Sequence, residues 1–348
     1  MTVIGWDIGG AHLKAALIDD SDRRVRVVQR PCPLWQGLDT LRHALSGALA
    51  GCGPETTRHY VTMTGELADC FSDRREGVRE IARVVAERLG AGSLAFYAGP
   101  NGFVAPAGVA DNADWIASAN WHASVAWSAR QMDAGLFIDL GSTTADLVPF
   151  ADGAVRARGY SDAARLRHGE LVYTGVVRTP VMALARQLPL RGEWIGLMAE
   201  HFATIADVYR VLGELPAHAD QHPSADGAEK SVAGSRRRLA RMLGVDAEDM
   251  PAEVWHAVAG SVREAQVRLL HDACVRLFTR EGVSAAAPLV GAGVGRFLIK
   301  ALAVRLDRPY IDLLPLLPTW AAEAAFDPAE CVPAVTVALL GREITNSV

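Results

Sequence analysis

Two stretches of the chain, displaced by 132 residues, share one local pattern. Trp6-Asp7-Ile8-Gly9-Gly10-Ala11-His12-Leu13-Lys14 and Ile138-Asp139-Leu140-Gly141-Ser142-Thr143-Thr144-Ala145-Asp146 align with the Asp and the first Gly in register. Each reads as an apolar strand ending in Asp, a glycine turn and a second apolar strand. The flanking segments repeat too: Thr2–Trp6, Leu13–Ile18 and Val25–Arg30 predict three short strands, as do Leu136–Leu140, Ala145–Phe150 and Ala154–Arg158. Two copies of one domain account for this, and 348 residues are enough for both.

After the first meander, helical spacing over Leu38–Ala50 and Glu76–Leu89 alternates with strand-like His59–Met63 and Leu94–Ala98, and Asp111–Gln131 reads as one further helix. The order is β-β-β-α-β-α-β-α, so the first domain is expected at 1–133 and the second at 134–348. A long, mostly helical insertion at about 160–282 interrupts the second copy, before strands at Pro288–Val290 and Pro309–Leu313 flank a helix at Arg296–Leu306. Within it, Pro216–Ser235 is rich in Ala, Asp, His, Pro, Ser and Gly and reads as a surface loop or a mobile lid, not as part of a core.

Composition excludes several classes. With 35 Lys+Arg against 40 Asp+Glu, a net charge of -5, the chain lacks the basic excess of a nucleic-acid binder. The longest apolar stretches, Val283–Gly295 and Cys331–Gly341, are too short to span a bilayer, and Asp7, His12 and Lys14 interrupt the start where a signal peptide needs an apolar run. A cytoplasmic protein is expected. Cys32, Cys52, Cys70, Cys274 and Cys331 are widely spaced with no CxxC, which favours core thiols; Cys32, between two prolines, is the candidate for an exposed one.

A carboxylate at a strand end beside glycine N–H groups suits a phosphate and its divalent cation, because no bulky side chain shields the backbone donors. Asp7 and Asp139 are therefore the candidate Mg2+ residues. Lys14 adds positive charge, and His12 does so when protonated.

These motifs resemble the actin-like ATPase superfamily, which includes sugar kinases, the 70-kDa heat-shock proteins and the hydantoinase/oxoprolinase proteins. Asp7 to Lys14 is similar to its first phosphate motif and Asp139 to Asp146 to its second, closest to the hydantoinase/oxoprolinase version; Pro288 to Gly295 resembles its third element, which passes under the adenosine in ATP-using members. The resemblance implies an α/β fold of duplicated actin-like (ribonuclease H-like) domains, and phosphate-binding roles for Gly9, Gly10, His12, Lys14, Gly141, Ser142, Thr143, Thr144, Gly291 and Gly293. Ala11 stands where the first motif commonly has Thr, which removes a hydroxyl contact to phosphate.

Asp111–Trp121, His168 to Gly175, Ala206 to Tyr209, Ala225 to Gly227 and Lys230-Ser231 further resemble proteins linked to tetrahydromethanopterin-dependent one-carbon metabolism, whose archaeal relatives act in methanofuran biosynthesis. That resemblance implies a transferase that condenses an aminomethylfuran-methyl diphosphate with the phenol of tyramine or glutamyl-tyramine and releases diphosphate, with Mg2+ as cofactor. A phenol of pKa ~10 then needs a base. His168, Glu170 and Asp111 are the candidates, though each also reads as an ordinary loop residue. The alternative is an ATP-dependent small-molecule kinase or ATPase of the same branch. In either case the partners are small molecules, a diphosphate ester and a phenolic amine, with a nucleotide as an open third; no nucleic acid or membrane is expected, and the subunit number is left open.

Three other motifs have plainer readings. His218, Asp220 and His222 alternate as metal ligands in an extended chain do, yet a solvated loop is the simpler expectation. Arg236-Arg237-Arg238 and Arg241 predict a solvated helix face. Trp115, Trp121 and Trp127 do not form one helical stripe, so they divide between core and a candidate aromatic wall for substrate.

Overall fold

The computed structural model describes residues 2–19, 24–50, 57–284, 286–320 and 325–346. Strands β1 (Thr2–Ile8), β2 (His12–Asp19), β3 (Val25–Pro31), β4 (Thr57–Met63), β5 (Leu94–Tyr97) and β6 (Phe103–Val104) form one sheet in the order β3-β2-β1-β4-β5-β6. The first three are an antiparallel meander, whereas β4 runs parallel to β1 and β5 parallel to β4. A second sheet contains β7 (Ala134–Leu140), β8 (Ala145–Ala151), β9 (Ala154–Val155), β10 (Leu171–Val172), β13 (Leu289–Ala292) and β14 (Tyr310–Asp312), in the order β10-β8-β7-β13-β14 with β9 also on β8; β11 (Gln187–Leu190) and β12 (Glu193–Gly196) make a separate hairpin. Both large sheets follow one plan. The opening strand lies between its hairpin partner and a strand that arrives later in the chain.

The helices are α1 (Leu38–Leu49), α2 (Arg74–Leu89), α3 (Ala113–Ile116), α4 (Asn120–Gln131), α5 (Asp162–His168), α6 (Ile205–Leu212), α7 (Val232–Leu243), α8 (Ala252–Phe278), α9 (Arg296–Arg305) and α10 (Val332–Asn346). Two compact units interleave along the chain, one of Met1–Phe137, Val148–Arg167 and Asp312–Val348, the other of Ile138–Leu147 and His168–Ile311. Helix α10, which a linear division counts with the second half, lies in the first unit and packs on β1, β2, β4 and α4.

Alternation along β1 explains how its two faces are covered. Ile4, Trp6 and Ile8 join Leu41 and Leu45 of α1 and Val78, Ile81 and Val85 of α2 in one buried core. Gly5 faces the other way, and α10 approaches so closely that a Cβ there would sit 2.0 Å from the Ala334 carbonyl oxygen. Asp7 shares that alternate face at the strand's carboxyl end.

Two expected elements are broken. The predicted helix over Asp111–Gln131 divides into α3 and α4, because Ser118 between them takes a left-handed backbone with φ of 52°. The third strand of the second copy, expected at Ala154–Arg158, splits in two: β9 pairs with Phe150 and Ala151 at one end of β8, while β10 pairs with Ala145 and Asp146 at the other. The intervening excursion carries α5.

The region 160–282 carries α5 to α8, and its polar segment is a surface loop tied down by ion pairs. Asp207, buried in the first turn of α6, accepts hydrogen bonds from Arg238 Nε at 2.8 Å, Ser235 Oγ at 2.8 Å and Arg210 at 3.3 Å. Arg238 also donates to Asp226 at 3.0 Å, and Arg210 to Asp220 at 2.5 Å, which ties the 216–231 segment to α6 and α7. Burial raises the Asp226 pKa, yet the Ala228 amide, Arg241, Arg238 and Ser224 prevail and hold it at about 2. Arg238, expected on a solvated face, is thus fully buried, because two carboxylates compensate its charge. Asp220, expected in a solvated loop or beside a metal, is engaged by Arg210 and Lys230; among the described residues no group of three or more His, Cys, Asp or Glu is placed to hold a metal ion.

Cys32 is fully buried, and burial pushes its thiol up to about 11; the exposed thiol is Cys70, while Cys52 lies outside the described residues. Trp121 and Trp127 are buried and Trp115 is exposed. Among the described residues, no helix is long and apolar enough to cross a membrane.

Candidate functional site

The two glycine turns close with the same hydrogen bond. Gly9 N–H donates to the His12 carbonyl at 2.9 Å, and Gly141 N–H to the Thr144 carbonyl at 2.9 Å; donor and acceptor are each displaced by the 132 residues of the repeat. Each turn is backed by the strand that arrives later. Thr64 and Gly65 N–H donate to the Ile8 carbonyl at 2.9 and 3.0 Å, and Gly295 N–H donates at 2.8 Å to Leu140, the repeat counterpart of Ile8. The run Thr64-Gly65-Glu66 after β4 is therefore the first copy's counterpart of the Gly293 to Gly295 run after β13. Sequence reasoning identified the second of these and missed the first, although an apolar strand ending in a Gly turn was visible at both.

Close approach explains the glycines. A Cβ on Gly65 would lie 3.3 Å from Gly9 C and O, and one on Gly293, whose φ is 84°, would lie 2.3 Å from Asp139 Oδ1 and 2.4 Å from the Leu140 oxygen. Gly291 is packed against the Tyr310 ring. Gly10 differs, since a Cβ there would meet nothing within 4 Å.

Asp7 is buried at the carboxyl end of β1, directly opposite Lys14 in the hairpin register. Lys14 Nζ donates to the Glu330 carbonyl at 2.8 Å, and Glu330 closes a capping box with Asp327 just before α10. Burial pushes the neighbouring Cys331 thiol up to about 12, with Lys14 opposing and Glu330, Asp7 and Asp327 adding to the rise. His12 begins β2 and is buried.

In the second copy, Ser142, Thr143 and Thr144 are half-buried. The Gly141 carbonyl accepts from Val176 N–H at 3.0 Å, and the Ser142 carbonyl from Val177 and Arg178 N–H at 3.1 and 2.9 Å. Gly175 lies so close that a Cβ would be 2.4 Å from Thr143 N. Its carbonyl and the Thr174 hydroxyl are held by Gln266 Nε2 of α8, each at 2.8 Å, and Gln266 Oε1 accepts from the buried Tyr209 hydroxyl of α6 at 2.6 Å. The insertion thus fixes the backing of the second turn.

The expected base candidates are scattered. His168 ends α5 and is half-buried; Glu170 is fully buried and accepts from Arg280 at 2.7 Å; Asp111 is exposed in the turn before α3, in the other compact unit. A cluster that sequence reasoning missed lies in the first unit. Glu66 Oε1 accepts from Ser118 Oγ at 2.7 Å, Ser118 Oγ lies 3.1 Å from Asp162 Oδ2, and Arg74 Nη2 reaches all three at 3.2, 3.0 and 3.3 Å. Glu66 is fully buried, which raises its pKa against the opposing effects of Ser118 and Arg74. No sequence spacing could have found residues drawn from the end of β4, α2, the α3–α4 break and α5.

Chemically, the two turns offer backbone N–H groups and hard carboxylate oxygens at strand ends, a donor set suited to phosphate oxygens and to Mg2+.

Comparison with known proteins accords with this geometry. A family model described as hydantoinase/oxoprolinase matches residues 58–316. The chain is 30% identical over 246 residues to the (4-{4-[2-(gamma-L-glutamylamino)ethyl]phenoxymethyl}furan-2-yl)methanamine synthase of Methanocaldococcus jannaschii, covering 71% of this chain and 72% of that one. It is 25% identical over 165 residues to the synthase of the same description from Methanococcus vannielii, covering 47% of this chain and 72% of that one. A nucleotide-free structure of acetone carboxylase matches with a TM-score of 0.57 at 12% identity, over 97% of this chain and 70% of that chain. The actin-like α/β fold expected from the motifs is the fold found.

Proposed function

The chain belongs to the hydantoinase/oxoprolinase family, and from that premise we propose that it is a transferase of methanofuran-type coenzyme assembly, joining an aminomethylfuran-methyl diphosphate to the phenol of tyramine or glutamyl-tyramine. An aryl-alkyl ether forms and diphosphate leaves. The observation that carries this reading is the 30% identity to a synthase whose product is named as a phenoxymethyl furan methanamine.

A furanylmethyl carbon ionises readily, so the protein's task is to receive the departing negative charge and to accept the phenolic proton. In the first unit the backbone N–H groups at Gly9 and Gly10, with Lys14 and His12, are the groups for phosphate oxygens; in the second unit they are those at Gly141 to Thr144 and the Gly291 to Gly293 turn. Asp7 in the first unit and Asp139 in the second would each hold Mg2+, which when bound neutralises diphosphate charge. Ala11 offers no hydroxyl to a phosphate, which counts against the γ-phosphate handling of an ordinary kinase.

The test is to supply purified protein with Mg2+, the aminomethylfuran-methyl diphosphate and either phenol, with ATP in parallel. Diphosphate release that requires the phenol and yields an ether, lost in Asp7→Ala and Asp139→Ala, supports the transferase. Substrate-dependent ADP formation without ether overturns it in favour of a kinase or ATPase.

A further inference from the structure

We propose that Glu66 is the base that removes the phenolic proton, and that Ser118 and Asp162 carry that proton from the buried site toward solvent. The inference rests on the transferase reading and names a group that reading requires.

Position comes first. Glu66 follows Gly65, whose backbone packs against Gly9 of the first glycine turn, so its backbone adjoins the turn to which the transferase reading assigns the leaving group. Its backbone is clamped from the other side as well, because a Cβ on Gly77 of α2 would lie 2.3 Å from the Glu66 carbonyl oxygen. Such a residue is fixed before substrate arrives.

The hydrogen bonds come second. Oε1 is occupied by Ser118 and Arg74, whereas Oε2 is buried with no hydrogen-bond partner. A buried carboxylate oxygen without a donor is unfavourable in the protein alone, and a phenolic O–H satisfies it. Burial also raises the Glu66 pKa.

An exit route is the third element. Glu66 is fully buried, but Asp162 retains 20% of its side-chain exposure, and the Ser118 hydroxyl touches both. The left-handed backbone of Ser118 is what delivers its hydroxyl to that point, and it breaks the α3–α4 helix to do so. Arg74 Nη2 contacts all three and holds the two carboxyls together against their repulsion.

In the step itself, the phenol oxygen bonds to the furanylmethyl carbon as that carbon's bond to diphosphate oxygen breaks. The bonding pair leaves with diphosphate, and the phenolic proton moves to Glu66 Oε2. A half-turn of the carboxyl group brings the proton to Ser118 Oγ, which passes its own proton to Asp162, and Asp162 releases it to water.

Glu66→Gln, Ser118→Ala and Asp162→Asn are assayed for ether formation with tyramine and with a ring-fluorinated tyramine, whose phenol is more acidic. Glu66→Gln should lower kcat by roughly a hundredfold or more with tyramine. The loss should shrink at least tenfold with the fluorinated acceptor, and affinity for inorganic diphosphate should stay as in the unmodified protein. Ser118→Ala and Asp162→Asn should lower kcat several-fold with KM unchanged, which keeps the relay testable if Glu66→Gln fails to fold. Equal losses with both acceptors, or a rise in KM alone, would assign Glu66 to binding the substrate amine and overturn the base. Ether formation by the unmodified protein alongside full activity of Glu66→Gln sinks this inference only; no ether from the unmodified protein overturns the transferase reading and the base with it.

Discussion

Asp7 and Lys14 face each other across the first hairpin, and the Lys14 ammonium is held 2.8 Å from the Glu330 carbonyl at the approach to α10. One cation thus joins the first hairpin to the short turn that leads into α10. Lys14→Met should weaken binding of inorganic diphosphate by roughly tenfold, about 1.4 kcal/mol, as expected for loss of one charge-assisted contact. Titration calorimetry in the presence of Mg2+ measures this; unchanged affinity would leave Lys14 a structural tie to Glu330.

Gly10 and Gly293 should respond oppositely to a methyl group. At Gly10 a Cβ meets nothing within 4 Å, so Gly10→Ala should alter stability by less than about 1 kcal/mol yet obstruct diphosphate. At Gly293, with φ of 84° and Asp139 Oδ1 2.3 Å from the new atom, Gly293→Ala should displace the second turn and destabilise the fold by about 2 kcal/mol or more. Denaturant unfolding paired with diphosphate titration separates the two. Full diphosphate affinity in Gly10→Ala would remove the first turn from the site.

The repeat and both Asp-Gly turns were legible because they are local: strand, carboxylate and turn occupy consecutive residues. The Glu66, Ser118, Asp162 and Arg74 cluster was not, since its members are brought together only by the fold. Arg238 shows a second limit. Its helix pattern is that of a solvated face, and only the burial of Asp207 beneath it reverses the assignment. Discontinuity also hid the path of α10, because a helix that closes the first unit from the far end of the chain leaves no mark in linear order.

Stability should depend on pH through His59. Its Nδ1 accepts the Trp6 indole N–H at 3.2 Å, so the ring is neutral, and burial lowers its pKa from 6.5 to about 4. The unfolded chain binds the proton more tightly, so stabilisation is complete above pH ~6.5 and declines as pH falls toward 4, by about 3 kcal/mol in all. His59→Gln, which keeps an acceptor for Trp6 but cannot titrate, should flatten this dependence. Denaturant unfolding between pH 4.5 and 7.5 is the check, and an unchanged slope in the variant would assign the effect to other groups.

Arg238 and Asp207 form the most buried ion pair of the strapped insertion, and Arg238 also holds Asp226. Removing Arg238 leaves the buried Asp207 with Arg210, at 3.3 Å, as its remaining cation, so Arg238→Met should destabilise the unit by about 3 kcal/mol. The same change leaves Arg241 as the remaining cation on Asp226, so proteolytic cleavage should begin within 216–231, where the native ion pairs otherwise resist it. Adding Asp207→Asn to Arg238→Met should recover part of the loss, because the remaining group is then neutral. If Arg238→Met unfolds within 1 kcal/mol of the unmodified protein, and its 216–231 segment is cut no faster, the segment is anchored by contacts other than these carboxylates.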